Sequence, residues 1–379
     1  MESIFFQLIW VIVGIAFFFL TFLKDKPSTK KTFKIISAIF IFTLPFTMNS
    51  WVGAFNTALL YSVMAIGLNI LLGNAGQISL GHAAFYAIGA FIASFLTVMS
   101  GLPIIIAIIL AGIFTSIIGF IMGTPVLRLK GHFLGIATLG LHVVIENLVK
   151  DKLKHYFPGA GVPDKFKIGS LVDNLQYSFK NSLGNLDYSS EILGEAKPFY
   201  YNFMQRVTDS VPDIAVFFVT LVFLILSVYM ARNILRTKIG RALGALRDSE
   251  IAARTLGVNI PLYKNIAFSL SAFFAGIAGG IFALSIGTLD EASFNIGISL
   301  YVLAMIILGG VGTIQGSIIG ASLYQLLNMK IIQEILGKKY QSLSPAILGL
   351  GVVLMIIFAP KGIVYMLYQL KLKLSRKRS

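Results

Sequence analysis

RNILRTKIGRALGALRDSEIAARTLGVNIPLYK, Arg232 to Lys264, is a polar and basic interruption in a chain that is otherwise mostly hydrocarbon. Its seven basic residues against two acidic ones place it on the cytoplasmic side of a membrane, where positively charged loops are retained. The pattern predicts two short helical turns hinged near Gly244. Ser249 is positioned to N-cap the second turn, Glu250 suits the positive end of a helix, and Gly257 can take the left-handed conformation that ends one. Between those caps, Ala252 and Ala253 are small enough for another protein's surface to approach the backbone closely. By spacing alone the segment is either a helix that enters a partner's groove or an amphipathic loop resting on lipid headgroups.

What surrounds it decides the class. With 56% hydrophobic residues, 12% charged residues and a mean hydropathy of +0.84, the chain is far from a soluble domain, which carries about 25% charged residues. We expect an all-α polytopic membrane protein of about ten transmembrane helices (8–10), some short or glycine-interrupted, forming one transmembrane domain over 1–379 with two weakly similar halves. Ile4 to Leu23 is an uninterrupted apolar run of 20 residues, enough for one crossing. Lys24, Lys26, Lys30, Lys31 and Lys34 follow it and belong inside, which leaves the N-terminus outside. Further spans are expected at Phe33–Asn49, Val52–Leu72, Leu80–Met99, Leu102–Gly123, Phe133–Val149, Asp213–Ala231 and Ile266–Thr288. The segment 150–213 has eight basic against eight acidic residues, a balance that suits an extracytoplasmic loop. The loop 232–264 is cytoplasmic, and Ile296–Leu308 with Ile314–Asn328 are two short helices around Leu308-Gly309-Gly310-Val311-Gly312. This lets Pro345–Phe358 end inside, with the basic tail 365–379 in the cytoplasm.

Leu72-Gly73-Asn74-Ala75-Gly76 echoes Leu308-Gly309-Gly310-Val311-Gly312, each following an inward-running helix. Corresponding glycine breaks in two halves of a transporter mark a translocation path, because unwound backbone at depth must line protein or a cavity. The alternative is a pair of surface turns. The candidate pathway set is Asn69, Gly73, Gly76, Gln77, Ser79, His82, Gly309, Gly310 and Gly312. His82 either faces the path or is a packed neutral imidazole, and Thr138, His142 and Gln315 complete the intramembrane polar residues. Apart from Asp213 at the very start of a span, Glu146 is the one acid inside an expected span, which argues against proton- or sodium-driven transport. His132, His142 and His155 lack the spacing and carboxylate of a metal site, so none is expected. The chain has no cysteine. It shows neither a hydrolase nucleophile elbow nor an ATP-binding loop, so no catalytic residue is expected and the energy must come from another chain. The basic residues gather beside apolar spans, which fits membrane topology and excludes a nucleic-acid face.

Glu250-x-Ala252-Ala253-x-x-x-Gly257 resembles the EAA loop by which ABC importer permeases dock on their nucleotide-binding subunits. Gly67-Leu68-Asn69-Ile70-Leu71-Leu72-Gly73-Asn74-Ala75-Gly76-Gln77-Ile78-Ser79-Leu80-Gly81-His82-Ala83-Ala84-Phe85 is similar to the signature of the branched-chain (hydrophobic) amino acid permease family. Leu127-Arg128-Leu129-Lys130-Gly131, Ala137-Thr138-Leu139-Gly140, Leu308-Gly309-Gly310-Val311-Gly312-Thr313 and Ala359-Pro360-Lys361-Gly362 follow in that family's order. The resemblance covers roughly Leu59 to Gly362, and the chain looks like the larger of two paired permease subunits. It implies an ABC importer in the bacterial inner membrane, with Arg241, Arg247, Asp248, Glu250, Ala252, Ala253 and Gly257 as the ATPase-coupling set. The implied partners are a homologous second permease, two ATP-binding subunits that bind ATP and Mg, a periplasmic or lipid-anchored substrate-binding protein, and membrane lipid. No cofactor is expected in this chain. The implied cargo is branched-chain or other hydrophobic amino acids, with urea or short-chain amides as the nearest alternative. A stand-alone channel or facilitator is the alternative of another class, and a membrane-embedded enzyme is more remote.

Overall fold

The computed structural model describes residues 51–98, 100–127, 132–148, 211–286, 289, 291–331, 344–359 and 361–376, together with Pro45. Among them every regular element is helical. In chain order these are α1 (Val52–Asn69, continued by a wider π-type turn Ile70–Asn74), α2 (His82–Val98), α3 (Ile104–Val126), α4 (His132–Leu148), α5 (Val211–Arg236), α6 (Lys238–Asp248) and α7 (Glu250–Thr255). They are followed by α8 (Ile260–Ile286), α9 (Gly297–Gly309), α10 (Ile314–Leu326), α11 (Ser344–Phe358) and α12 (Gly362–Arg376). The expected spans Ile4–Leu23 and Phe33–Asn49, nearly all of the 150–213 loop, and Arg128, Lys130 and His155 lie outside the described residues.

The central element is α8. At 27 residues it reaches about 40 Å, and it is packed against α1, α2 and α3 at once. Hydrocarbon tails give helices no hydrophobic reason to associate, so close approach must come from small residues that let backbones touch. That is what the interfaces contain. A Cβ on Gly67 of α1 would lie 2.7 Å from the Phe274 Cβ, and one on Gly279 would strike Tyr86 O and stand 2.7 Å from Ala90 N. Gly276 and Gly280 press on Thr115 and Ile108 of α3. Gly316 and Gly320 likewise pack inside the chain, against Gly309 and Met305 of α9. A layer of rings ties the elements together, with Tyr86 5.1 Å from Phe282 and 5.7 Å from Phe294, centroid to centroid. The outward face of α3, by contrast, exposes Ile105, Ile109, Ile113, Ile117 and Ile121, a surface that suits lipid and would not persist in water.

Four helices are long and apolar enough to cross a membrane, Val52–Asn74, Ile104–Val126, Asp213–Arg236 and Ile260–Ile286, and the count rises to six if each bent pair is one span. The protein is therefore a multi-pass helical membrane protein. The expected count of about ten is not reached among the described residues. Helices α2 and α4 have 17 residues each, about 25 Å, short of a full hydrocarbon thickness. The two short helices expected around Gly309–Gly312 are present as α9 and α10, and the chain turns by 118° between them.

Contacts between helix ends give their directions. Asn56 Nδ2 donates to Asp213 O, 3.1 Å, so α1 and α5 start at the same end of the bundle and run together. His82 reaches Ser271 and Tyr86 lies at Gly279, so α2 runs parallel to α8. Gly112 meets Ile277 whereas Gly123 meets Phe268, so α3 runs opposite to α8. The glycine turns at 73–76 and 309–312 consequently fall at the end of the bundle from which α6 and α7 project.

Candidate functional site

At that end the chain leaves α5 through Thr237, whose Oγ1 accepts from Ile239 N at 3.2 Å and caps α6. Ala242, Leu243 and Leu246 lie on one face at helical spacing and are buried, fastening α6 to the bundle. The hinge expected near Gly244 is displaced. Gly244 lies within α6, and the break is at Ser249, whose extended backbone (φ −163°, ψ 118°) separates α6 from α7. Ser249 Oγ accepts from Ala252 N at 3.3 Å, the N-cap that its residue type announces. Gly257 has φ +79°. Gly257 N donates to Arg254 O and Val258 N to Ala253 O, both at 3.0 Å, which closes the double-bonded C-terminal cap that a left-handed glycine permits.

Inside this frame the two alanines part company. Ala252 is exposed, but Ala253 is fully buried in the chain's own core, so only the first is available to a partner. A six-residue helix pinned at both ends can show only part of its surface outward, and Ala253 is on the pinned side. Glu250 stands in the first turn of α7, at the positive end of that helix, as its charge suits. It pairs with Lys264 Nζ in the second turn of α8, which ties α7 back onto the bundle. The outward face instead carries Ile251 and Leu256, 81% and 78% exposed. The sequence reading passed over these two. They stand out only once Glu250 is seen paired with Lys264 and Ala253 buried. Arg241 and Asp248 are exposed on α6.

The two glycine turns meet. Asn69, 3% exposed near the end of α1, donates through Nδ2 to Thr313 O and to Ser317 Oγ, both at 2.8 Å, and accepts from Gly312 N through Oδ1 at 2.8 Å. One amide thus uses both of its polar atoms to join the halves. Gly73 is pressed against Gly312 so closely that a Cβ on it would stand 2.6 Å from Gly312 Cα. Gly76, Gly310 and Gly312 have φ of +68°, +126° and +86°, conformations that a side chain would strain. Gly309 packs on Gly316. Thr313 caps α10, with its Oγ1 accepting from Gly316 N at 3.1 Å.

Across both turns lies Arg247 of α6. A Cβ on Gly76 would be 3.6 Å from Arg247 Cα, and one on Gly312 would be 3.0 Å from Arg247 Nη1 and 3.4 Å from Gly73 O. Arg247 therefore belongs with the turns as well as with the projecting loop.

The remaining candidates separate. His82 is fully buried, with Nε2 bonded to Ser271 Oγ and Nδ1 3.3 Å from Ser79 Oγ, and both ring nitrogens are thereby engaged in packing. Ser79 is 1% exposed beside it. Gln77 is 4% exposed and its two side-chain polar atoms have no partner, which leaves it the candidate with unspent hydrogen-bonding capacity. Thr138 Oγ1 accepts from Leu80 N at 2.9 Å, holding the stretch between α1 and α2 against α4. His142 pairs with Glu146 at 3.3 Å. Among the described residues no group of three metal-binding side chains forms.

Comparison with known proteins follows the same outline. The profile of the family described as branched-chain amino acid transport system, permease component, matches residues 50–359. The chain is 34% identical over 316 residues to the high-affinity branched-chain amino acid transport system permease protein LivM of Salmonella typhimurium, covering 83% of this chain and 70% of that protein. It is 31% identical over 358 residues to LivM of Escherichia coli, covering 94% and 80% respectively. A third relative, the permease protein BraD of Pseudomonas aeruginosa, is 25% identical over 318 residues, covering 80% and 91%. No solved structure matches significantly.

Proposed function

This chain belongs to the branched-chain amino acid transport system permease family, and from that membership we propose that it is the membrane-spanning permease subunit of an ATP-driven bacterial importer that carries branched-chain or other hydrophobic amino acids. The observation that carries the proposal is the match across 50–359 together with two relatives above 30% identity that bear that transport activity in their names. In this reading the chain forms one half of a paired pore in the inner membrane, with a homologous second permease. Two ATP-binding subunits engage α6 and α7 from the cytoplasm, and a substrate-binding protein delivers cargo from outside. The basic loop and tail support a cytoplasmic C-terminus, and the leading apolar run followed by lysines supports an N-terminus outside.

Support for docking at α7 comes from its surface. Ile251 and Leu256 stand out from a short helix whose caps, buried alanine and Glu250–Lys264 pair hold it rigidly. Apolar anchors on a preorganised element are what a groove on a partner rewards, since little ordering entropy is lost on binding. The permease supplies no hydrolytic chemistry. Its task is to convert movement of that helix into movement of the helices that enclose the path.

The test is uptake of labelled leucine, isoleucine and valine by cells that lack their own systems and express this chain with its partner permease, ATPases and binding protein. Uptake that requires ATP hydrolysis and every subunit is expected. Uptake independent of ATP would make the chain a facilitator, and uptake of urea in place of leucine would move the substrate class.

A further inference from the structure

We propose that Arg247 is a positioning residue through which the α6–α7 loop grips both glycine turns and moves them together, an inference that rests on reading that loop as the ATPase-docking element. Arg247 is an exposed residue in the last turn of α6, and the two turns beside it lie just past the carboxyl ends of two other helical segments. The extension of α1 ends at Asn74, α9 ends at Gly309, and α6 ends one residue beyond Arg247. Carbonyls at a helix's carboxyl end carry the negative end of its dipole, which favours a guanidinium nearby.

The geometry is that of a bridge. Arg247 Cα backs onto Gly76, and its Nη1 reaches the space beside Gly312, where a Cβ would be only 3.0 Å away. Both glycines have positive φ, so at each turn the backbone conformation excludes a side chain and the arginine occupies the neighbouring space. Asn69 fastens the two turns to each other through three hydrogen bonds. A shift of Arg247 therefore acts on a single joined body containing the ends of α1 and α9. The lever behind it is stiff, because Ala242, Leu243 and Leu246 anchor α6 along its length. On its far side, only Ser249 separates Arg247 and Asp248 from α7, the helix that presents Ile251 and Leu256. The planar, multi-donor guanidinium suits contact with several carbonyl ends, which a lysine's single ammonium cannot reproduce.

The experiment uses the complete importer in proteoliposomes and reads leucine transported per ATP hydrolysed. Arg247→Ala should keep the ATPase subunits through purification yet lower that ratio about tenfold, within the range that coupling free energies produce. Arg247→Lys should restore part of it. In a double-mutant cycle, Gly312→Ala should cost less transport in the Arg247→Ala background than in the wild type, because the new methyl and the guanidinium compete for one space. Gly310→Ala, at a turn glycine whose nearest neighbour is Lys361 O and not Arg247, should combine additively. An unchanged ratio in Arg247→Ala, or additivity of Arg247→Ala with Gly312→Ala, overturns the inference. Loss of the ATPase subunits from Arg247→Ala also overturns it, making the residue a docking contact. Absence of leucine transport by the wild-type complex would instead refute the functional reading on which all of this stands.

Discussion

Asn69→Ala removes the amide that joins the two glycine turns, and its cost can be worked from the bonds it makes. Hydrogen bonds between helices in membrane proteins contribute about 0.6 kcal/mol on average and about 1.7 kcal/mol at most, because the unfolded chain in the membrane also finds partners. Three such bonds at 2.8 Å give about 2 kcal/mol. The loss is uneven. Thr313 O retains Ser317 N at 3.2 Å, whereas Gly312 N sits in a non-helical turn with φ +86° and loses its acceptor outright. Leaving the half-buried Gly312 N unpaired costs toward the low end of the about 1–3 kcal/mol of a buried donor, and with about 1 kcal/mol for the other two bonds the expected destabilisation is about 2–3 kcal/mol. Unfolding of the purified chain in mixed micelles, titrated with a denaturing detergent, measures it. The control is Ser62→Ala, a residue equally buried whose hydroxyl donates only to Ala58 O in its own helix at 2.7 Å. Its effect should stay below about 0.5 kcal/mol, since no backbone group is orphaned. If Asn69→Ala unfolds no more easily than Ser62→Ala, the amide does not join the halves and the bridge at the turns is wrong.

Ala253→Trp should reduce the yield of folded protein, because the indole has no room in the core, whereas Ala252→Trp should fold normally and fail to retain the ATPase subunits; equal yields of the two would place Ala253 outside the core. Gly279→Val should prevent the α2–α8 contact and abolish a monodisperse product, while Gly140→Val, at a glycine with nothing within 4 Å, should purify as the wild type does. A cysteine placed at Ser249 in this cysteine-free chain should react only with reagents that enter the cytoplasm, and modification from outside would invert the topology.

Membrane character, the positions of most helices and the caps of α7 could all be read from the chain, because each depends on residues within a few positions of one another. Apolar length sets a span, a serine before Glu250 sets a cap, and Gly257 allows the left-handed residue that ends the helix. The paired short helices around Gly309–Gly312 followed from the same local logic. What pairs with what could not be read, since the partners are far apart in sequence: Asn69 with Gly312 and Ser317, Glu250 with Lys264, and Arg247 with turns from both halves. Ala252 and Ala253 show the difference most plainly. Adjacent and identical in type, they were indistinguishable by pattern, and only the angle at which α7 lies on the bundle sends one to the surface and the other into the core. Likewise the residue type of His82 suits a packed imidazole or one facing the path, and its contact with Ser271, 189 residues further on, could not be read from the pattern. Local composition determined which segments are helices. The close approach of small residues on α8 to their neighbours decided which polar groups have partners and which, like Gln77, are left with capacity to spare.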